Sequence, residues 1–314
     1  MTHRILITGA NGFVGSALLQ LLERDHGGCK VFALGHGNGQ ENAIDLLDRN
    51  AVERAVQEIQ PTALVHLAAV AAPSDARNSP RHAWDVNVTG TMNLAESATR
   101  HAPQARFVHV SSSEAYGASF QSVRGPVTET VPLRPMTVYG ATKAAADLMI
   151  GQMAHDGLRA IRFRPFNHTG PGQSDVYVVS AFARQIAEIV SGKSEPVIRV
   201  GNLEAERDFL DVRDVVRAYA TAALADLDDG PEHVYNIASG QPRKIRDILD
   251  MLIARSGIDI EVRADPEKFR PNDIPSASGD ASKARAELNW TPLVPFEQTI
   301  ADVFGYWQRL CNAR

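Results

Sequence analysis

The N-terminal segment constrains the fold more than any other part of the chain, because a strand, a glycine-rich turn and a helix follow one another directly. Arg4–Thr8 is apolar enough for a buried strand of a parallel sheet, and Ser16–Glu23 carries helical apolar spacing. Gly9, Gly12 and Gly15 lie between them. Glycines there permit a tight turn and a close approach of the backbone to a pyrophosphate, which the helix N-terminus holds. The pattern predicts a nucleotide-binding α/β fold.

Strands and helices continue to alternate through the first half of the chain. Further strands are predicted at Val31–Leu34, Ala63–Leu67, Phe107–Val110 and Ala160–Arg164. Helices are predicted at Ala51–Ile59, Val88–Arg100 and Tyr139–Met153. This alternation indicates right-handed βαβ units, and therefore a Rossmann-type, doubly wound parallel sheet covered on both faces. Ligands of such sheets bind beyond the carboxyl ends of the strands.

The pattern changes after Pro165. The later elements are predicted at Val197–Val200, Asp208–Val212, Val215–Ala225 and Ile245–Ser256. We predict an NAD(P)-binding Rossmann domain over residues 1–165, to which residues 208–237 return. Residues 166–207 and 238–314 are expected to form a smaller C-terminal α/β lobe that binds the substrate.

Composition and charge narrow the possible partners. The 314 residues are 44% hydrophobic, which suffices for a large core, and the net charge of −5 argues against nucleic acid or an anionic membrane surface as partner. No apolar run approaches the length of a membrane span, and the first strand begins too early for a signal peptide. Cys29 and Cys311 are too few for a disulfide framework and have no neighbouring metal ligands, so no metal is expected. We expect a cytoplasmic protein.

Tyr139 and Lys143 place a phenol and an ammonium one helical turn apart. Residues at i and i+4 share a helix face, so both side chains can reach one reacting centre. A nearby cation favours the phenolate, and we expect it to lower the pKa of Tyr139 toward the working range of a general acid. Taken alone, the pair could equally be an interfacial tyrosine beside a solvated lysine.

Five ordered motifs set this pair in context, and with them the chain resembles the extended short-chain dehydrogenase/reductases over nearly its whole length. The motifs are Gly9-Ala10-Asn11-Gly12-Phe13-Val14-Gly15, His66-Leu67-Ala68-Ala69, Asn87-Val88-Thr89-Gly90-Thr91, Ser111-Ser112-Ser113-Glu114-Ala115-Tyr116-Gly117 and Tyr139-x-x-x-Lys143. Within that superfamily the chain is similar to the reductases of GDP-4-keto-6-deoxy-D-mannose. The segments that carry this similarity are Arg164–Gln173, Gly201-Asn202-Leu203, Arg207-Asp208-Phe209, Arg270-Pro271-x-Asp273 and Gly279-Asp280.

The resemblance implies catalytic roles for four residues. Tyr139 would be the general acid that protonates a sugar carbonyl as hydride arrives, while Lys143 would lower its pKa and bind the nicotinamide ribose. Ser112 would hydrogen-bond the substrate oxygen, which suits a hydroxyl just past a strand end. Glu114 lies where related dehydratases carry a base, so it either removes a proton beside the ketone or only shapes the pocket.

The resemblance also implies a set of cofactor contacts. These residues are Gly9, Asn11, Gly12, Phe13, Val14, Gly15, Gly35, His36, Asp45, Leu46, Leu67, Ala68, Ala69, Asn87, Tyr139, Lys143 and Phe166. Gly35 stands where NAD-binding proteins carry an acid for the ribose 2′-hydroxyl. Without that acid to repel a 2′-phosphate, NADP(H) is favoured, with NAD(H) possible. Asp45 could instead begin the following helix, and Asn87 could be only a helix-start residue.

Six residues are expected to bind the substrate: Ser112, Glu114, Asn167, Lys193, Arg207 and Arg270. Guanidinium groups suit the diphosphate of a nucleotide sugar, although an isolated arginine more often forms a surface salt bridge. The assignment of GDP rests on the resemblance alone. The expected reaction is NAD(P)H-dependent reduction of the C4 ketone of GDP-4-keto-6-deoxy-D-mannose to GDP-D-rhamnose, or to its C4 epimer GDP-6-deoxy-D-talose.

Two alternatives stay open at this point. The chain could be a sugar-nucleotide 4,6-dehydratase or 4-epimerase that recycles its NAD(P) internally, or a non-catalytic NADP(H)-binding sensor. The absence of longer, arginine-containing insertions near the glycine-rich turn favours the reductase. The resemblance further implies a homodimer in which the helices at Thr91–Arg100 and Tyr139–Met153 form a four-helix contact.

Overall fold

The computed structural model describes residues 3–35, 44–225, 231–268 and 274–312. Its main element is a six-stranded, wholly parallel sheet in the order β2-β1-β3-β4-β5-β9. These strands are β1 (Arg4–Thr8), β2 (Lys30–Leu34), β3 (Ala63–His66), β4 (Arg106–Val110), β5 (Ala160–Pro165) and β9 (Val234–Ile237). The order reverses between β1 and β3, and a crevice for a ligand opens beyond the carboxyl ends of the strands at that point.

Helices cover both faces of this sheet. In chain order, the helices of the described residues are α1 (Phe13–Asp25), α2 (Arg49–Ile59), α3 (Pro73–Asn78), α4 (Pro80–Trp84), α5 (Thr91–His101), α6 (Val138–His155), α7 (Val178–Val190), α8 (Val212–Leu224), α9 (Ile245–Ser256), α10 (Ser282–Leu288) and α11 (Phe296–Asn312). Helices α1 and α8 pack on one face, and α2, α5 and α6 pack on the other. Ile5, Leu6 and Ile7 of β1 are fully buried because their side chains alternate between two covered faces. The predicted doubly wound parallel sheet is confirmed.

A second layer lies beside the carboxyl edge of the sheet. It contains the short strands β6 (Asn167–Thr169), β7 (Val197–Val200), β8 (Glu206–Asp211), β10 (Pro242–Lys244), β11 (Glu261–Ala264) and β12 (Ser276–Ala277). Strand β8 pairs with β6, β10 and β12, while β7 pairs with β11. Helices α7, α9 and α11 enclose a separate apolar core with β7 and β8.

The buried carboxylate of Asp208 in β8 holds three distant segments together. It accepts hydrogen bonds from the backbone N–H groups of Ser239 (2.8 Å), Gly240 (2.9 Å) and Gly279 (3.3 Å). The hydroxyl of Ser239 donates a fourth, at 2.6 Å. Burial raises the pKa of Asp208, and these hydrogen bonds act in the opposite direction because they stabilise the charged form.

The C-terminal segment does not belong wholly to the second layer, contrary to the prediction for residues 238–314. Helix α10 packs against α8 and β9 of the main sheet. Leu288 and Trp290 lie in the core formed by α1 and α8, and the Trp290 indole N–H donates to the carbonyl of Asp214 at 2.8 Å. The chain therefore passes repeatedly between the two layers.

The helix predicted at Val88–Arg100 begins differently in the structure. The backbone is already helical at Pro80–Trp84, widens into a π-helical turn over Asp85–Gly90 and continues as α5. Val212 begins α8 rather than ending β8, because the carboxylate of Asp211 caps that helix at the Arg213 N–H (2.8 Å). No helix in the described part of the chain is long and apolar enough to cross a membrane.

Candidate functional site

A cavity of about 1350 Å³ opens over the carboxyl ends of β1, β3, β4 and β5 and extends into the second layer. Most of the predicted site residues line it. They are Gly9, Asn11, Gly12, Phe13, Val14, Gly15, Gly35, Asp45, Leu46, Leu67, Ala68, Ala69, Ser112, Glu114, Tyr139, Lys143, Phe166, Asn167 and Arg207. His36 and Arg270 lie outside the described residues. Asn87 and Lys193 do not line this cavity.

The glycine-rich turn has no room for side chains. A Cβ on Gly15 would lie 2.3 Å from the carbonyl oxygen of Gly9, and one on Gly9 would lie 2.7 Å from the backbone nitrogen of Ala68. Gly9 also has φ +71°, which favours glycine. Helix α1 begins at Phe13, and Gly12 before it offers no capping side chain. The first backbone N–H groups of α1 therefore face the cavity, where they suit a pyrophosphate.

The far end of the cavity, beside β2, contains no carboxylate at the position of Gly35. Leu46 is buried there against Gly90, whose hypothetical Cβ would lie 3.0 Å from the Leu46 Cβ. Asp45 does not begin the next helix, because its carboxylate accepts from the Leu47 N–H at 2.9 Å. Asp48 caps α2 instead, at the Ala51 N–H (3.0 Å). A 2′-phosphate would meet no acidic side chain at Gly35.

Ser112 and Tyr139 both line the cavity, and the Ser112 hydroxyl lies close enough to Tyr139 to favour its charged form. Ser112 lies two residues beyond the end of β4, and its Oγ accepts from the Glu114 N–H at 3.1 Å. Tyr139 lies in the first turn of α6, where Thr137 caps the helix at the Gly140 N–H (2.9 Å). The Thr137 hydroxyl also donates to the Glu114 carboxylate at 2.9 Å. One capping residue thus fixes both Tyr139 and Glu114.

The prediction that the pKa of Tyr139 is lowered toward the working range is wrong. Desolvation raises the pKa of Tyr139, the negative charge of Glu114 raises it further, and the hydrogen bond with Ser112 acts the other way. The phenol therefore stays protonated across the neutral range. A protonated phenol can donate its proton but cannot accept one, which suits a general acid.

Lys143 is buried beside Tyr139, and its ammonium forms no salt bridge among the described residues. Burial lowers its pKa from 10.5 to about 8, although the charge of Asp147 one turn further along α6 partly opposes this. Asp147 is itself paired with Arg162 (3.0 Å) and Arg164 (2.9 Å). The ammonium of Lys143 is thus a donor that faces the cavity.

Asn87 has a structural role rather than the predicted cofactor contact. Its Oδ1 accepts from the Val70 N–H at 2.7 Å, and its Nδ2 donates to the Val70 carbonyl and to the Thr142 hydroxyl at 2.9 Å. The side chain is fully buried and ties the segment after β3 to helix α6. Both polar atoms of the Asn87 amide therefore form hydrogen bonds within the protein.

Lys193 is also displaced from the predicted substrate site. It lies in the turn after α7, and its Nζ donates to the carbonyl of Cys311 in α11. Arg207 does line the cavity, and its Nη1 donates to the carbonyls of Glu206 (2.8 Å) and Ile274 (2.7 Å). These bonds orient the Arg207 guanidinium at the edge of the second layer.

Several cavity residues escaped the sequence predictions, and all of them except His168 come from segments without a recognised motif. These are His82, His168, Tyr177, Arg184, Glu188, Arg199, Tyr219 and Lys268. Only His168 had a signal, since it follows Asn167 directly. Its ring stacks on Phe13 with the centroids 6.4 Å apart, which joins the glycine-rich turn to the second layer.

A doubly wound sheet with this glycine-rich turn, and with Ser112, Tyr139 and Lys143 at its carboxyl edge, defines an extended short-chain dehydrogenase/reductase. The model of the GDP-mannose 4,6 dehydratase family matches residues 6–303, and the chain belongs to that family.

Two relatives differ in how much of their length the chain covers. The chain is 30% identical to GDP-6-deoxy-D-mannose reductase of Pseudomonas aeruginosa, over 98% of both chains. It is 29% identical to GDP-mannose 4,6-dehydratase of Yersinia enterocolitica, over 82% of this chain and 76% of that one. Among solved structures, RMD from Pseudomonas aeruginosa complexed with NADPH superposes with a TM-score of 0.86 at 28% identity, covering 98% of this chain and 100% of that one.

Proposed function

We propose that this protein reduces the C4 ketone of a nucleotide-linked 4-keto-6-deoxyhexose, with GDP-4-keto-6-deoxy-D-mannose as substrate. The observation that carries this proposal is the placement of Ser112, Tyr139 and the buried ammonium of Lys143 at one cavity. The full-length match to a GDP-6-deoxy-D-mannose reductase supports it.

In this proposal the substrate carbonyl oxygen accepts hydrogen bonds from both Ser112 and Tyr139. A bound nicotinamide dinucleotide supplies the hydride. Tyr139 then gives its proton to the developing alkoxide, because its raised pKa keeps it protonated beforehand. Lys143 donates to the cofactor ribose and provides a positive charge that stabilises the phenolate left on Tyr139.

We further propose NADP(H) as the favoured cofactor, with NAD(H) possible. The residues at the adenosine end fit this choice, because Gly35 presents no carboxylate to a 2′-phosphate. RMD from Pseudomonas aeruginosa, which superposes over 98% of this chain, holds NADPH, and UDP-glucose 4-epimerase of Thermus thermophilus, which superposes over 97%, holds NAD. In this scheme the six-stranded layer binds the cofactor, while Asn167 and Arg207 contact the nucleotide sugar from the second layer.

The second candidate is a 4,6-dehydratase, which Glu114 favours because its carboxylate lies in the cavity near Tyr139. A dehydratase base must remove a proton beside the ketone, and a carboxylate there could do so. The extent of the two sequence matches supports the reductase. The match covers 98% of the reductase relative but only 76% of the dehydratase relative, which has additional residues outside it.

One experiment separates the candidates. Purified protein is incubated with GDP-4-keto-6-deoxy-D-mannose and NADPH, and separately with GDP-mannose alone, and the sugars are identified by NMR. A reductase consumes NADPH in proportion to keto sugar and yields GDP-D-rhamnose or GDP-6-deoxy-D-talose. Keto sugar formed from GDP-mannose without net cofactor use would refute the proposal. Cofactor binding without either turnover would identify a sensor.

We also propose a cytoplasmic homodimer. Met92 on α5 and Leu148 on α6 expose 36% and 60% of their surfaces, although both lie on helices whose other faces are buried. A second copy of the chain that packs these two helices against their equivalents would cover both side chains.

A further inference from the structure

Asp147 is a fully buried carboxylate of α6 that the proposed mechanism does not use. It lies one helical turn after Lys143, and Gly151 follows after one more turn, so the three residues share one face of α6. That face is turned toward β5, because a Cβ on Gly151 would lie 2.6 Å from the Nη1 atom of Arg162. The missing side chain of Gly151 makes room for the Arg162 guanidinium.

Two arginines of β5 hold the Asp147 carboxylate in place. Arg164 donates to both of its oxygens, at 2.9 Å and 3.0 Å, and Arg162 donates to one of them at 3.0 Å. Arg164 is itself fixed, since it also donates to the Tyr116 hydroxyl (3.0 Å) and to the Glu129 carbonyl (2.9 Å). Three hydrogen bonds from two guanidinium groups therefore orient the carboxylate.

Stability alone does not explain this buried cluster. A buried ion pair returns about as much free energy as its desolvation costs, and apolar residues of similar volume often serve a core as well or better. The cluster does supply a fixed negative charge one turn from the buried ammonium of Lys143. Burial lowers the pKa of Lys143 to about 8, and the charge of Asp147 opposes that shift.

Two buried histidines and Tyr139 also lie around Lys143, and all three are neutral. The ammonium acts on His66 of β3 and His109 of β4, but burial lowers the pKa of both rings, so neither carries a charge at neutral pH. Tyr139 keeps its phenol proton because burial raises its pKa. The charge that opposes the desolvation of Lys143 therefore comes from Asp147.

We propose that Asp147 is a positioning residue for the proposed reaction, whose carboxylate, held by Arg162 and Arg164, keeps Lys143 in its charged form at the cavity. The inference rests on the proposed function, in which the Lys143 ammonium donates to the cofactor ribose and stabilises the phenolate of Tyr139. Without the charge of Asp147, Lys143 loses its proton at a lower pH, and both contributions weaken near neutral pH.

The test is the pH dependence of NADPH binding, measured by fluorescence titration between about pH 6 and pH 10. In the wild type the affinity should fall above about pH 8, where Lys143 loses its proton. Asp147→Asn removes the charge and keeps the size of the side chain, so the fall should begin about one pH unit lower. Asp147→Glu restores a carboxylate and should move the fall back toward the wild-type pH.

Arg162→Gln is the matched control, because it loosens the same cluster but removes a positive charge instead of a negative one. Arg164 still holds both oxygens of Asp147 in this variant. The fall in affinity should begin at the wild-type pH or higher, whereas a purely structural role of the cluster would move both variants in the same direction. If Asp147→Asn does not fold, the double variant Asp147→Asn/Arg162→Gln takes its place, and its fall should begin at a lower pH than that of Arg162→Gln alone.

The inference and the proposed function fail in different ways. An Asp147→Asn protein whose affinity falls at the wild-type pH would overturn the inference and leave the reductase proposal intact. A wild type that binds NADPH with the expected pH dependence but reduces no keto sugar would overturn the reductase proposal alone. A wild type that binds neither NADPH nor NADH would overturn both.

Discussion

Replacing Lys143 by methionine should make the protein without ligands more stable at neutral pH, and this gain should shrink as the pH rises. Lys143 is 6% exposed, and burial lowers its pKa from 10.5 to about 8. At about 1.4 kcal/mol for each pKa unit, this difference corresponds to a penalty of about 3 kcal/mol for holding the charged group inside the fold.

The direction of this pH dependence follows from the order in which the folded and the unfolded chain lose the Lys143 proton. Below pH 8 the lysine is protonated in both the folded and the unfolded chain, so the folded state carries the full penalty. As the pH rises from 8 toward 10.5, the folded state deprotonates first and the penalty is relieved. The contribution of Lys143 to the free energy of unfolding therefore increases with pH.

Urea unfolding of the wild type and of Lys143→Met at pH 6.5 and pH 9.5 measures this change. The penalty should fall from about 3 kcal/mol to about 1.4 kcal/mol between these values, so the stability gap should narrow by about 2 kcal/mol. Differences in packing between the two side chains cancel, because they do not depend on pH. Lys244→Met, which removes an exposed ammonium, controls for the loss of one positive charge. A gap that stays constant would refute the reasoning that Lys143 is a desolvated cation.

Four further substitutions test other parts of the site. Tyr139→Phe should lower kcat for keto-sugar reduction by about 10²-fold or more while NADPH binding persists, because only the proton donor is lost. Gly15→Ala should weaken NADPH binding in a titration by about tenfold or more, since its Cβ would lie 2.3 Å from the Gly9 carbonyl oxygen. Glu114→Gln should keep reductase turnover within about tenfold, whereas loss of a general base would cost about 10²-fold or more. Leu148→Arg should convert a dimer to a monomer in size-exclusion chromatography with light scattering, because it places a charge at the proposed contact.

Each of these has an outcome that contradicts it. Full turnover by Tyr139→Phe would show that Tyr139 is not the general acid. Unchanged NADPH affinity of Gly15→Ala would mean that the glycine-rich turn does not approach the cofactor. Loss of turnover in Glu114→Gln would give this carboxylate a direct chemical role. Leu293→Arg, at an equally exposed leucine outside α5 and α6, is the control for Leu148→Arg and should leave the dimer unchanged.

The sequence predicted the sheet well, because burial on both faces produces short apolar runs such as Arg4–Thr8. It also placed Tyr139, Lys143 and Ser112 at one cavity, since helix periodicity and strand ends are local properties. The sequence predictions failed where the role of a side chain depends on its tertiary contacts. The amide of Asn87 is used by Val70 and Thr142, which no local pattern reveals.

The other prediction that failed was the direction of the pKa shift of Tyr139. Spacing alone suggested that the pKa of Tyr139 would be lowered, but desolvation and the charge of Glu114 raise it in the structure.

The Asp208 carboxylate limits how proteins of this architecture can be recombined. Its donors come from Ser239, Gly240 and Gly279, so a chimera joined at one point between these segments would combine β8 of one parent with partner loops of another. Any misfit there would leave a buried negative charge without donors. To change the substrate preference, β8 therefore has to be transferred together with the segments that contain Ser239 and Gly279. The alternative is to replace single residues that face the cavity.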